Sequence, residues 1–81
     1  DRLVVTDSEV LIVDYKTNRP PPEDVAAVAK VYIGQLATYR ALLRAVHPGK
    51  TVRCALLWTD AARLMEVADA VMDAVLDGAT A

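Results

Sequence analysis

The residues best suited to chemistry are Asp14, Tyr15 and Lys16, which close a β-branched, aliphatic run from Val10 to Val13. Side chains alternate along a strand, so Asp14 and Lys16 share one face, with Ile12 and Val10 behind them. A hairpin closed by a two-residue turn at Asp7-Ser8 would pair Thr6 with Glu9, Val5 with Val10, Leu3 with Ile12 and Asp1 with Asp14. Two carboxylates directly opposite would have Cβ atoms about 4.5–5.5 Å apart and repel each other unless something positive sits between them. A divalent cation fits oxygens of this kind. Such a set suits phosphodiester hydrolysis. The carboxylates would hold Mg²⁺, which polarises a phosphoryl oxygen and lowers the pKa of water, while Lys16 orients that water or stabilises the developing charge. The plainer alternative is a solvated ion pair at a strand end.

Gln35 and Tyr39 give a second clue, because residues four apart share one face of a helix. Gln35 lies beside an otherwise apolar stripe, where a polar amide usually has a specific partner. A tolerated boundary glutamine next to a packed tyrosine fits the same spacing. Gly34 costs a helix interior about 1 kcal/mol relative to alanine, which points to close approach of that helix to the sheet or to a ligand.

The elements that must position these residues follow from the pattern. Leu3–Val5 and Val10–Val13 read as a hairpin around Thr6-Asp7-Ser8-Glu9. Both faces of the second run are apolar, so it is expected to be a central strand covered on both sides. Pro20, Pro21 and Pro22 break regular structure, and Glu23 and Asp24 suit a helix N-terminus. Val25, Val28, Tyr32, Leu36, Tyr39, Leu43 and Val46 advance by three or four. They predict a helix over about 29–46, preceded by a separate short turn. His47-Pro48-Gly49 stops it. Val52 to Thr59 reads as a buried strand, Arg63 to Val67 as a short edge strand, and the spacing of Val67, Val71 and Val75 as a last amphipathic helix. The expected fold is α/β, a mixed central sheet flanked by helices in the order β-β-α-β-(β)-α.

Composition narrows the class. The 81 residues are 54% hydrophobic with a net charge of −2, which excludes disorder. The lone Cys54 excludes a disulfide scaffold and reads as a small buried strand residue in a reducing cytoplasm. No apolar run approaches the roughly 20 residues of a membrane span, so no membrane partner is expected. Residues 1–53 carry a balance of +2 and residues 54–81 a balance of −4, which neither demands nor forbids nucleic acid. The opening Asp1-Arg2-Leu3-Val4-Val5 reads like the inside of a strand, so a piece of a larger domain is expected.

Taken together, Asp1-Arg2-Leu3, Asp14-Tyr15-Lys16-Thr17 and Gln35-x-x-x-Tyr39 resemble the nuclease domain of RecB-type enzymes within the PD-(D/E)xK superfamily. The longer runs Val13 to Arg19 and Tyr32-x-x-Gln35-Leu36-x-x-Tyr39-Arg40 are similar to the C-terminal nuclease region of AddA-type double-strand-break repair helicase–nucleases. The resemblance implies a partial restriction-endonuclease-like core, with residues 1–81 as the C-terminal part of one nuclease domain. It implies Asp1 and Asp14 as metal ligands, with the Tyr15 carbonyl as a further ligand. Lys16 would be the catalytic lysine, and Gln35 and Tyr39 would position the substrate strand or support the site. The cofactor would be Mg²⁺ or Mn²⁺, with ATP serving only a helicase part absent from this chain. The implied partners are DNA, a helicase core in the same polypeptide and a partner nuclease subunit. The family's upstream helix carrying a Glu or His is not in the chain, so the 81 residues alone are expected to cut nothing. The competing function is a non-catalytic, nuclease-like module for DNA binding or subunit assembly.

The remaining polar residues read as structural. His47 suits a helix C-terminus, Trp58 a packed strand, and Arg40 with Arg44 a solvated helix face. Asp69, Asp73 and Asp77 read as a solvated or partner-facing surface. An apolar sheet edge invites pairing with another copy, so self-association is a further expectation.

Overall fold

The expected hairpin is present in the computed structural model, which describes residues 2–17 and 20–80. Strand β1 (Arg2–Val5) pairs antiparallel with β2 (Glu9–Lys16) in the register Leu3↔Ile12 and Val5↔Val10, the register that a two-residue turn at Asp7-Ser8 predicts. Thr6 fixes this turn. Its N–H donates to the Glu9 carbonyl at 2.8 Å, and its Oγ1 accepts the Glu9 N–H at 3.0 Å. The described register ends at Arg2↔Val13. Asp1, and with it the expected pairing with Asp14, lies outside the described residues, as do Asn18 and Arg19.

The proline segment is held from across the molecule, because the Arg63 guanidinium donates to the carbonyls of Pro22 and Glu23. Asp24 then caps a single 3₁₀ turn, Val25–Ala27, by accepting the Ala27 N–H at 3.2 Å. Helix α1 (Lys30–Val46) follows and ends at His47, and Gly49 takes the left-handed φ of 87° that the reversal into the next strand requires. Strand β3 (Thr51–Trp58) runs parallel to β2, so α1 is the crossover of a βαβ unit and runs antiparallel to both strands. Strand β4 (Arg63–Val67) returns antiparallel along the far edge, and α2 (Asp69–Thr80) comes last. The sheet order β1-β2-β3-β4 makes this an α/β fold with a mixed sheet and two helices, a partial restriction-endonuclease-like core.

Alternation places Val10 and Ile12, then Val52, Cys54, Leu56 and Trp58, then Met65 and Val67 on one face. Ile33, Leu36 and Ala37 of α1 and Met72 of α2 complete this core. The opposite face presents Leu11, Val13, Tyr15, Leu57 and Leu64, and no described helix covers it. Tyr15 is 42% and Leu64 60% exposed. The expectation that β2 is covered on both sides is therefore corrected. Its uninterrupted apolar run reflects an interior position between β1 and β3, where Val13 and Ala55 shield each other within the sheet.

The α1 stripe also shifts. The buried positions are Ile33, Leu36, Ala37 and Arg40, whereas Tyr39 and Val46 are exposed. Helix α2 packs against this side of α1, where Arg40 meets Asp69 and Asp73. Gly34 faces α2 as well. A Cβ placed there would lie 4.0 Å from Val75 Cγ1, an ordinary contact, so Gly34 marks neither the sheet nor a ligand. No described helix is long and apolar enough to cross a membrane.

Candidate functional site

Strand β2 delivers Asp14 and Lys16 to the end of the helix-covered face, beyond the apolar residues Val10 and Ile12. Asp14 is 4% exposed, and its Oδ2 lies 3.1 Å from Lys16 Nζ. A carboxylate so removed from water is costly unless it is paired, and the lysine two residues on supplies the pairing charge. The antiparallel run of α1 brings its first turns over the same end of the strand. Gln35 Oε1 accepts from Lys16 Nζ at 3.3 Å, and the Tyr32 ring lies beneath the same ammonium, 4.3 Å from Nζ to the ring centroid. Trp58, which pairs with Lys16 across the sheet and is fully buried, packs its ring 6.5 Å from that of Tyr32.

Lys16 is therefore fixed from three sides, by a carboxylate, an amide oxygen and an aromatic face. A cation over an aromatic ring gains roughly 0.5–2 kcal/mol, more where water is excluded. Here the ring also restricts where the ammonium can point. The Tyr32 contact was not legible in sequence, where Tyr32 reads only as one member of the apolar stripe. The signal available was its spacing of three from Gln35, which places both over the same strand end.

The other expected site residues are placed as follows. Tyr15 turns its side chain to the open face. The Lys16 carbonyl accepts the Thr59 N–H at 2.9 Å on the β3 side, so by strand alternation the Tyr15 carbonyl faces the β1 side. Tyr39 lies one helical turn beyond Gln35 and is 38% exposed, beside a hollow of about 230 Å³ bordered by Arg2, Leu3, Ile12, Leu42 and Leu43. Asp1 lies outside the described residues. Among the described residues no group of three or more His, Cys, Asp or Glu side chains gathers as a metal site. Asp14 is the carboxylate in ion-pair contact with Lys16.

Arg40 departs from expectation. It is 3% exposed rather than solvated, and its guanidinium spans α2, with Nη1 3.0 Å from Asp69 Oδ1 and Nη2 2.6 Å from Asp73 Oδ1. Burial pushes its pKa down, but the hydrogen bonds to Asp73 and Asp69 outweigh this and hold it above the ordinary value. Arg44 joins at 3.5 Å from Asp69 Oδ2. Asp69 and Asp73 are thus tied to α1 rather than free on a solvated face. Cys54 is buried as expected, and burial raises its thiol to about 11, which leaves it protonated and inert. Trp58 is packed and His47 ends α1, again as expected.

No curated protein and no solved structure matches the chain. The model of the PD-(D/E)XK nuclease superfamily matches residues 1–77, which takes in all four strands, the Asp14–Lys16 strand end, α1 and most of α2. With a mixed sheet of the expected topology carrying Asp14-x-Lys16 at the end of its second strand, the chain belongs to the PD-(D/E)XK nuclease superfamily.

Proposed function

We propose that this chain carries most of the active site of a metal-dependent DNA nuclease that hydrolyses phosphodiester bonds. The observation that supports this best is the position of Lys16, held 3.1 Å from a buried Asp14 and 3.3 Å from Gln35. Superfamily membership makes DNA the expected substrate and a divalent metal the expected cofactor. The donor chemistry fits such an ion. Asp14 offers a hard carboxylate oxygen and Tyr15 a backbone carbonyl, both suited to Mg²⁺ or Mn²⁺, with Asp1 as the second carboxylate. When bound, the ion supplies Lewis acidity and a lowered pKa for water.

The chain's own residues would do the rest. Asp14 holds the charge that the ion answers, and Lys16 directs its ammonium at the phosphate or the attacking water. Gln35 and Tyr32 fix that ammonium, and Tyr39 lies along the path of the strand. The finer reading is processing of double-strand-break ends by a nuclease joined to a helicase core and assisted by a partner nuclease subunit in the cytoplasm. It rests on the similarity of Val13 to Arg19 and of Tyr32 to Arg40 to AddA-type enzymes, and on this reading residues 1–81 form the C-terminal part of the nuclease domain.

A second reading, a nuclease-like module that binds DNA or assembles subunits without cutting, draws on the absence of a three-carboxylate cluster among the described residues. Calorimetric titration with Mg²⁺ and Mn²⁺ separates the two. The nuclease reading expects millimolar or tighter binding that disappears in Asp14→Ala, and binding that persists unchanged in that variant contradicts it.

A further inference from the structure

We infer that the hollow beside Tyr39 is a nucleobase subsite, taking one base of the strand whose phosphate lies at Lys16. The inference rests on the nuclease reading above and goes beyond it by assigning what the enzyme grips besides phosphate. The hollow is about 230 Å³ and is bordered by Leu3, Ile12, Tyr39, Leu42 and Leu43, with Arg2 at its rim. That is smaller than the roughly 300–1,000 Å³ of pockets that enclose drug-sized ligands, and suits a single planar ring system. Leu3, Tyr39 and Leu42 are 48%, 38% and 60% exposed, so the described chain leaves this apolar surface open.

Its position identifies the occupant. Ile12 precedes Asp14 by two residues on the same face of β2, a displacement of about 6.5–7 Å. Tyr39 follows Gln35 by four residues on α1, a displacement of about 6 Å. Strand and helix run antiparallel, so both steps lead from the Asp14–Lys16–Gln35 cluster in the same direction and by nearly the same length. That length is comparable to one nucleotide of an extended strand. A phosphate at Lys16 therefore puts the neighbouring base over the hollow, where an aromatic wall offers a stacking surface. The two larger hollows, about 410 and 370 Å³, lie between the start of α1 and α2 and have no aromatic side chain in their lining.

The test compares two probes of equal length, a single-stranded thymidine oligonucleotide and the same backbone with every base removed, bound in EDTA so that the strand stays intact. Fluorescence anisotropy should show the wild-type protein preferring the thymidine strand by about tenfold, within the range a single stacked base supplies. Tyr39→Ala and, separately, Leu42→Ser should bring that ratio close to one, whereas Tyr39→Phe should keep it. Both positions are exposed, and an unchanged melting temperature certifies the fold of each variant. A wild-type protein that binds both strands equally overturns the subsite while leaving the nuclease reading standing. A preference that survives in both Tyr39→Ala and Leu42→Ser places the base elsewhere and also overturns it. A protein that binds neither strand overturns the subsite and leaves the nuclease reading to the metal titration above.

Discussion

Helix α1 carries two charge clusters built from the same materials, and they are built in opposite senses. At its start, Lys16 is surrounded by one buried carboxylate, a neutral amide and an aromatic ring. Two turns further on, Arg40 is the buried member, and its fork is matched by two carboxylates that are themselves more than half exposed. The second arrangement pairs both terminal nitrogens of its cation with anions and fastens α1 to α2. The first buries the anion and gives the cation soft, neutral neighbours at an open strand end, which leaves charge available for a phosphate or a metal ion. Burial of charge alone does not distinguish a site from a clamp. Which sign is buried, and how completely it is answered, does.

Several substitutions break or sharpen that contrast. The largest effect is expected from Asp14→Ala in the full-length enzyme, which should lower DNA cleavage about a thousandfold or more, the several kcal/mol of transition-state stabilisation attributable to a metal-holding group. A gel assay of end products reads this directly. The clamp should answer in stability instead. Asp69→Asn combined with Asp73→Asn leaves a buried guanidinium unanswered and should cost about 3 kcal/mol, whereas Arg40→Met leaves two solvated carboxylates and should cost about half as much. Urea unfolding of both variants checks this asymmetry, and equal costs would remove it.

Gln35→Ala should reduce cleavage only about fivefold, the worth of one hydrogen bond to a charged group near the surface, with the loss in kcat rather than in folding. The smallest effect belongs to the open face, where Arg53 bonds Glu66 at 2.6 Å and Glu9 at 3.4 Å. The hydrogen bond from Arg53 holds the Glu66 carboxyl below its usual 4.5. Its contribution is present above that value and is lost as pH falls through the lower folded value. Glu66→Gln should therefore make melting temperature slightly less sensitive to pH as it falls below 4.5, an effect small because both groups are exposed.

The elements were legible because each carries its own local signal. The Asp7-Ser8 turn fixed the register of β1 on β2, the three prolines and Asp24 marked the break before α1, and Gly49 marked its end. Asp14, Lys16 and Gln35 were legible as a group for the same reason, since period two on a strand and a recurring polar position on a helix are local facts. Arg40 was not. An arginine four residues from Leu36 has the spacing of a core residue and the chemistry of a surface one. Only the docking of α2, with Asp69 and Asp73 one turn apart to receive a single guanidinium, decides between them. Tyr32 failed for a related reason, because its partner is a lysine sixteen residues away on another element. The exposure of Tyr39 and the open face of the sheet are likewise consequences of which side the two helices choose.

The measurement that tests the contrast most directly sets Lys16→Met beside Arg40→Met in the full-length enzyme at one temperature below both melting points, with single-turnover cleavage of a single-stranded oligonucleotide in Mg²⁺. Lys16→Met leaves the buried Asp14 unanswered and should melt lower, yet where it is fully folded it should cut at least about a hundredfold more slowly. Arg40→Met should also melt lower and still cut within a few-fold of the wild-type rate. Cleavage by Lys16→Met at the wild-type rate would contradict the assignment of that cluster as the catalytic one.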